Sequence, residues 1–103
     1  MISAEGSAVL GRAGRIHRLT RHAIIQSHAR RLSHAAIAAA LNCGRVAHTR
    51  GATIYVIGRK EIRRFRRYGN DLLRFEGVHV ICGPDGAVLT VYRNKDLRGL
   101  RPN

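Results

Sequence analysis

Tryptophan is absent from this chain of 103 residues, proline occurs twice, and only five aromatic residues are present: Tyr55, Phe65, Tyr68, Phe75 and Tyr92. A core built from this sequence must therefore consist mainly of Ile, Leu, Val and Ala. Acidic residues are equally scarce, with six Asp and Glu against nineteen Lys and Arg, for a formal charge of +13. A field of that sign on so small a body selects polyanions: RNA, DNA, an acidic membrane or an acidic protein. The two cysteines, Cys43 and Cys82, fall on separate predicted elements without CxxC or Cys/His spacing. That pattern argues against a disulfide framework and a structural zinc, and leaves two reduced, buried thiols.

Long apolar runs are also missing. No stretch approaches the roughly 20 residues that span a bilayer, and the N-terminus lacks the apolar region of a secretory signal. The expectation is a cytoplasmic, bacterial-type protein without a membrane partner. There is no GxxxxGK[ST] and no GxGxxG after a strand, which argues against nucleoside-triphosphate and dinucleotide binding. No HExxH or carboxylate cluster occurs, and Asp71, Asp85 and Asp96 all lie in predicted loops or turns. Neither a cofactor nor a metal is expected.

What is present suits one globular α+β domain, since 45% of residues are hydrophobic and the length allows a single modest core. Residues 1–15, small and Gly-rich, read as a flexible arm; residues 16–97 form the domain, and 98–103 a fraying tail. A helical pattern begins at Ile16, where Ile16, Leu19 and Ala23 share a face, and it runs to about Arg31 with Thr20 as an alternative N-cap. Ser33 caps a second, Ala-rich helix that Gly44 ends. "RVAHT" and "ATIYVIG" form a hairpin about Arg50-Gly51, and "GVHVIC" and "AVLTVY" form another about "GPDG". A basic connector joins them, either as a short helix or as an irregular crossover. The predicted fold is two N-terminal helices packed on one face of a roughly four-stranded, mainly antiparallel sheet.

Six histidines invite a metal, but His22, His28 and His34 are six apart, and each step of about 240° around a helix keeps them from converging. A different set survives. His22, Gln26 and Arg30 follow at i+4 and place an imidazole, an amide and a guanidinium on one helix face. Such a set suits metal-free RNA cleavage, which needs a base of near-neutral pKa for the 2′-hydroxyl and a cation for the developing phosphorane charge. A plain polar helix face fits the spacing as well. The connector carries Arg59, Lys60, Arg63, Arg64, Arg66 and Arg67 with Phe65 and Tyr68 interleaved, as phosphate contacts with base stacking would require. Its plainer reading is a solvated loop anchored by Phe65. Thr90 and Tyr92 share one sheet face, Leu89 and Val91 the other, so a hydroxyl pair can stand beside the first helix.

Taken together, "LTRHAIIQSHARRLSHAAIAAALNCGRV", "IYVIGRKEI" and "EGVHVICGPDGAVLTVYRN" resemble a family of short bacterial proteins of unknown function. The resemblance spans residues 19–94. That family is placed near the metal-independent ribonucleases and toxins of the barnase, EndoU, colicin and RelE types, so the resemblance implies a RelE-like fold and an RNA-directed activity. It points to His22, to Arg30 or Arg31, to Tyr55, Arg59 and Lys60, and to Thr90, Tyr92 and Arg93. Related sequences often carry Arg four residues after the motif histidine, where this chain has Gln26. The expected function is RNA binding with metal-independent endoribonuclease activity: His22 as general base or acid, Arg30 or Arg31 and Arg59 on the phosphate, Tyr92 as proton donor or orienter. The alternative is a non-catalytic basic module that binds nucleic acid or an acidic protein such as an antitoxin.

Overall fold

The computed structural model describes residues 7–98. Three short elements precede the first long helix: β1 (Ala8–Leu10), a 3-10 turn (Arg12–Gly14) and β2 (Ile16–Arg18). The strands pair antiparallel, with Leu10 opposite Ile16 and Val9 opposite His17. Val9 and His17 are buried while Leu10 and Ile16 face solvent.

Helix α1 (Arg21–Ala29) starts where the side chain of Thr20 accepts a hydrogen bond from the Ala23 amide at 3.2 Å. It ends in a Schellman arrangement: Leu32 N–H donates to Ser27 O and Arg31 N–H to His28 O, with Arg31 at φ +55°. Helix α2 (His34–Cys43) is capped by Ser33, whose Oγ accepts from Ala36 N–H at 3.2 Å. Its alanines let Ile37 and Leu41, both fully buried, approach the sheet closely. Each such side chain stabilises the fold by about 1.5–3 kcal/mol. Gly44 follows without a left-handed turn. Its reason is contact, because a Cβ there would lie 2.4 Å from Ala40 O and 3.0 Å from Val56 N.

The main sheet comprises β3 (Arg45–Thr49), β4 (Ala52–Val56), β5 (Val78–Cys82) and β6 (Val88–Arg93), all antiparallel in the order β3-β4-β5-β6. Gly51, at φ +74°, turns the first hairpin. In the second, Gly86 N–H closes the turn on Gly83 O at 2.9 Å and Gly86 takes φ +87°. Between the hairpins, α3 (Arg59–Arg66) holds its first turn with Glu61, whose carboxylate accepts from Gly58 N–H at 2.8 Å. A 3-10 turn (Leu73–Phe75) then leads into β5.

The hydrophobic cluster lies between α1 and α2 and one sheet face, where Val78, Val80, Cys82, Val88 and Val91 meet Leu19, Ala23, Ile37 and Leu41. The opposite face presents Ile54, Ile81 and Thr90 in one cross-strand row and Val56, His79 and Tyr92 in the next.

Two N-terminal helices over one sheet was the expectation, and it is corrected here: there are three helices and two sheets, and the helices are not both N-terminal additions. Residues 16–18, read as the start of a helix, are a strand because Ala8–Leu10 supplies a ladder partner, which overrides local helical periodicity. The basic connector folds as α3. Of the expected arm, residues 1–6 lie outside the described residues and 8–10 form β1; of the tail, 99–103 lie outside them. Strict alternation places Leu89 on the same sheet face as Val91. A bulge pairs Cys82 with Val88 and Ile81 with Thr90, leaving Leu89 unpaired and exposed.

Candidate functional site

Helix α1 lies against the outer edge of β6, and the site forms along that seam. Gln26 Oε1 accepts from the Val91 amide at 3.1 Å, and Arg30 Nη1 donates to the Val91 carbonyl at 2.9 Å. The i+4 pair thus holds both backbone groups of one residue, its N–H and its C=O. The grip orients the rest of the Arg30 guanidinium toward an open hollow of about 600 Å3, lined by Gln26, Arg30, Thr90, Tyr92 and Arg93. Two guanidinium groups and two hydroxyls line this hollow and no carboxylate does. Chemically it is a donor-rich, cationic surface that fits the oxygens of a phosphate.

Tyr92 is held from beneath. The ring of His79, on the neighbouring strand, stacks on it with centroids 4.5 Å apart and planes inclined by 18°. Nδ1 of His79 meets Gly77 O at 2.8 Å, and since a carbonyl only accepts, that nitrogen carries the proton. Burial lowers the pKa of His79, against the opposing effect of the Gly77 hydrogen bond. His79 is therefore a neutral ring that supports Tyr92.

Of the residues predicted from the sequence, Gln26, Arg30, Thr90, Tyr92 and Arg93 come together. His22 does not join them: it occupies the first turn of α1, exposed, one turn before Gln26. Arg31 is taken up in the left-handed position after α1 and is not part of the lining. Tyr55 belongs to the opposite sheet face, packed against the core beneath the N-terminal hairpin. Its ring lies 6.2 Å from that of His17 and 5.9 Å from the Arg12 guanidinium.

The basic residues of the connector surround α3. Arg59 and Lys60 border one hollow with Arg45 and Lys95; Arg63 and Arg66 border another with Arg59 and Leu73. Arg64 lies over the Phe65 ring at 5.6 Å, and Tyr68 is exposed just past the helix. Arg93 Nη2 donates to Arg74 O at 3.1 Å, and Arg74 covers Phe75 at 4.7 Å.

The five acidic side chains among the described residues are all engaged within the fold. Glu61 holds Gly58 N–H and pairs with Arg45 at 3.5 Å, Glu76 pairs with Arg59 at 3.7 Å, and Asp96 pairs with Arg98 at 2.8 Å. Asp71 accepts from Leu73 N–H and Asp85 from Ala87 N–H. Among the described residues, Arg63, Arg64, Arg66, Arg67 and Arg93 form no ion pair.

Sequence reasoning missed His79 and Arg74. The hairpin register was the available signal for His79, and the bulge conceals it: counting evenly from the Cys82–Val88 pair beside the "GPDG" turn sets His79 opposite Val91, whereas it faces Tyr92. Among the described residues, no three His, Cys, Asp or Glu side chains gather as a metal site would need, and no helix is long and apolar enough to cross a membrane. No family model matches the chain, and the searches of curated proteins and of solved structures gave no match.

Proposed function

We propose that the protein binds RNA, its phosphodiester backbone lying in the hollow between α1 and β6 and against the arginines of α3, in the cytoplasm. One observation carries this reading. The five described carboxylates are engaged in internal caps and ion pairs, and Arg63, Arg64, Arg66, Arg67 and Arg93 face solvent with no ion pair among the described residues. Arg30 and Arg93 supply forked donors at the hollow, while Tyr68 offers an exposed ring for a base. RNA is favoured over other polyanions by the likeness of the chain's motifs to those of the ribonuclease-like family; the architecture is not part of that argument.

The test is fluorescence anisotropy with a labelled single-stranded RNA across a salt series. Affinity should fall steeply with salt, and Arg30→Ala and Arg93→Ala should each weaken binding about tenfold. An absent or salt-insensitive interaction removes the reading.

Metal-independent cleavage is the second reading, favoured by the convergence of Arg30, Arg93 and the Tyr92 hydroxyl on one hollow. His22 would be its base, reached by RNA that extends one helical turn along α1. Incubation with mixed RNA in EDTA, followed by mapping of the ends, decides it. Products with 2′,3′-cyclic phosphate that disappear in His22→Ala support cleavage, and intact RNA eliminates it.

A further inference from the structure

The two edges of the main sheet are treated differently. Along β6, α1 closes the edge: Thr20 N–H donates to Val88 O at 3.0 Å, Gln26 accepts from Val91 N–H, and Arg30 donates to Val91 O. Along β3 nothing comparable occurs among the described residues. Its five residues pair with β4 in unbroken register, without the bulge, proline or lysine that commonly protects an edge. Thr49 and Ala52 close a two-residue hairpin, so the register turns the backbone groups of Arg45, Ala47 and Thr49 toward β4 and those of Val46 and His48 outward. These outward groups find no backbone partner among the described residues, and both side chains are exposed.

We propose that the β3 edge is a docking site for an extended acidic segment of a partner protein, which adds to the sheet as a fifth strand. The inference does not rest on the proposed RNA binding along α3 and the α1–β6 seam, although Arg64 of α3 borders both surfaces. Cations frame the edge at both ends. Arg45, paired with Glu61, opens the strand and Arg50 follows it, while Arg12 and Arg64 outnumber Glu61 in the hollow beside Val46. Alternating N–H and C=O groups at strand spacing are complemented by another peptide backbone, whereas the phosphates of a nucleic acid offer acceptors only. A second copy of this chain is disfavoured by charge. Pairing β3 with itself antiparallel would bring Arg45 and Arg50 of two bodies of formal charge +13 together.

The probe is a short acetylated and amidated peptide of alternating glutamate and valine, titrated into the labelled full chain and followed by amide hydrogen exchange. The expected result is saturable binding that slows exchange at Val46 and His48 at least about tenfold. Loss of binding is expected when the peptide's valines are N-methylated, and for the lysine–valine counterpart. Val46→Pro should abolish binding without cost to the ladder, since that N–H points outward. Should this variant fail to fold, Arg45→Glu with Arg50→Glu should reverse the preference toward the lysine peptide. The proposal is overturned by unchanged exchange at Val46 and His48, or by undiminished affinity in the variants. It is overturned equally if the two amides are already protected in the free chain, which would assign the edge to the chain's own termini, or if single-stranded RNA protects them.

Discussion

Gln26 follows His22 by one turn on α1, and its place in the fold gives a reason for an amide. Its Oε1 is the acceptor for Val91 N–H, and a guanidinium has no acceptor to offer. Gln26→Arg should therefore destabilise the protein by about 1–3 kcal/mol, the cost of an unsatisfied amide, whereas Gln26→Glu keeps the bond. Urea unfolding of the two variants separates them. Arg31 poses the opposite case, a side chain at φ +55° where glycine is usual. Arg31→Gly should raise stability by about 0.5–1 kcal/mol, read as a higher melting temperature. His79 governs a pH effect. Burial lowers its pKa below the ordinary 6.5, so as pH falls past that value the unfolded chain takes up the proton first. Stability conferred by the neutral ring is fully present above pH 6.5 and declines as pH falls toward the folded value. In His79→Phe, which keeps a ring beside Tyr92, the urea midpoint should vary less between pH 7.5 and 5; an unchanged acid slope would contradict the assignment.

At the scale of elements, α3 depends on one carboxylate. With cations in its last turn and solvent around most of it, the helix buries only Ile62 fully, and Glu61 supplies both the Gly58 back-bond and the pair with Arg45. The basic last turn also complements the helix dipole. Glu61→Ala should cost about 1 kcal/mol and loosen α3, seen as faster amide exchange at its start. The α2–β3 junction is more sensitive. Gly44→Ala drives a methyl against Ala40 O and the Val56 backbone, and a loss of more than about 2 kcal/mol is expected from thermal unfolding.

For the whole molecule, charge is the governing property. If RNA lies on α3, neutralising Arg63, Arg64, Arg66 and Arg67 together should reduce the slope of log affinity against log salt by about three for single-stranded RNA. The fold should lose no more than the small dipole contribution of the last turn of α3, since these four side chains are exposed and form no ion pair among the described residues. A slope that stays the same would place the nucleic acid elsewhere.

Local chemistry was legible in the sequence: Ser33 and Thr20 cap helices, Gly51 and Gly86 take positive φ, and His22, Gln26 and Arg30 follow one another at i+4. Each of these depends on neighbours a few residues away. The sequence also established the excess of cations over carboxylates. Tertiary structure decided the partners. Residues 16–18 became a strand because another segment pairs with them, Tyr55 went to the face away from the hollow, and a single bulged residue moved His79 from Val91 to Tyr92. The i+4 stripe was divided in the same way, because only Gln26 and Arg30 reach the Val91 peptide while His22 stays outside. Local periodicity fixes which residues share a face; which of them meet, and which sheet edge is left open, depends on pairings across the chain.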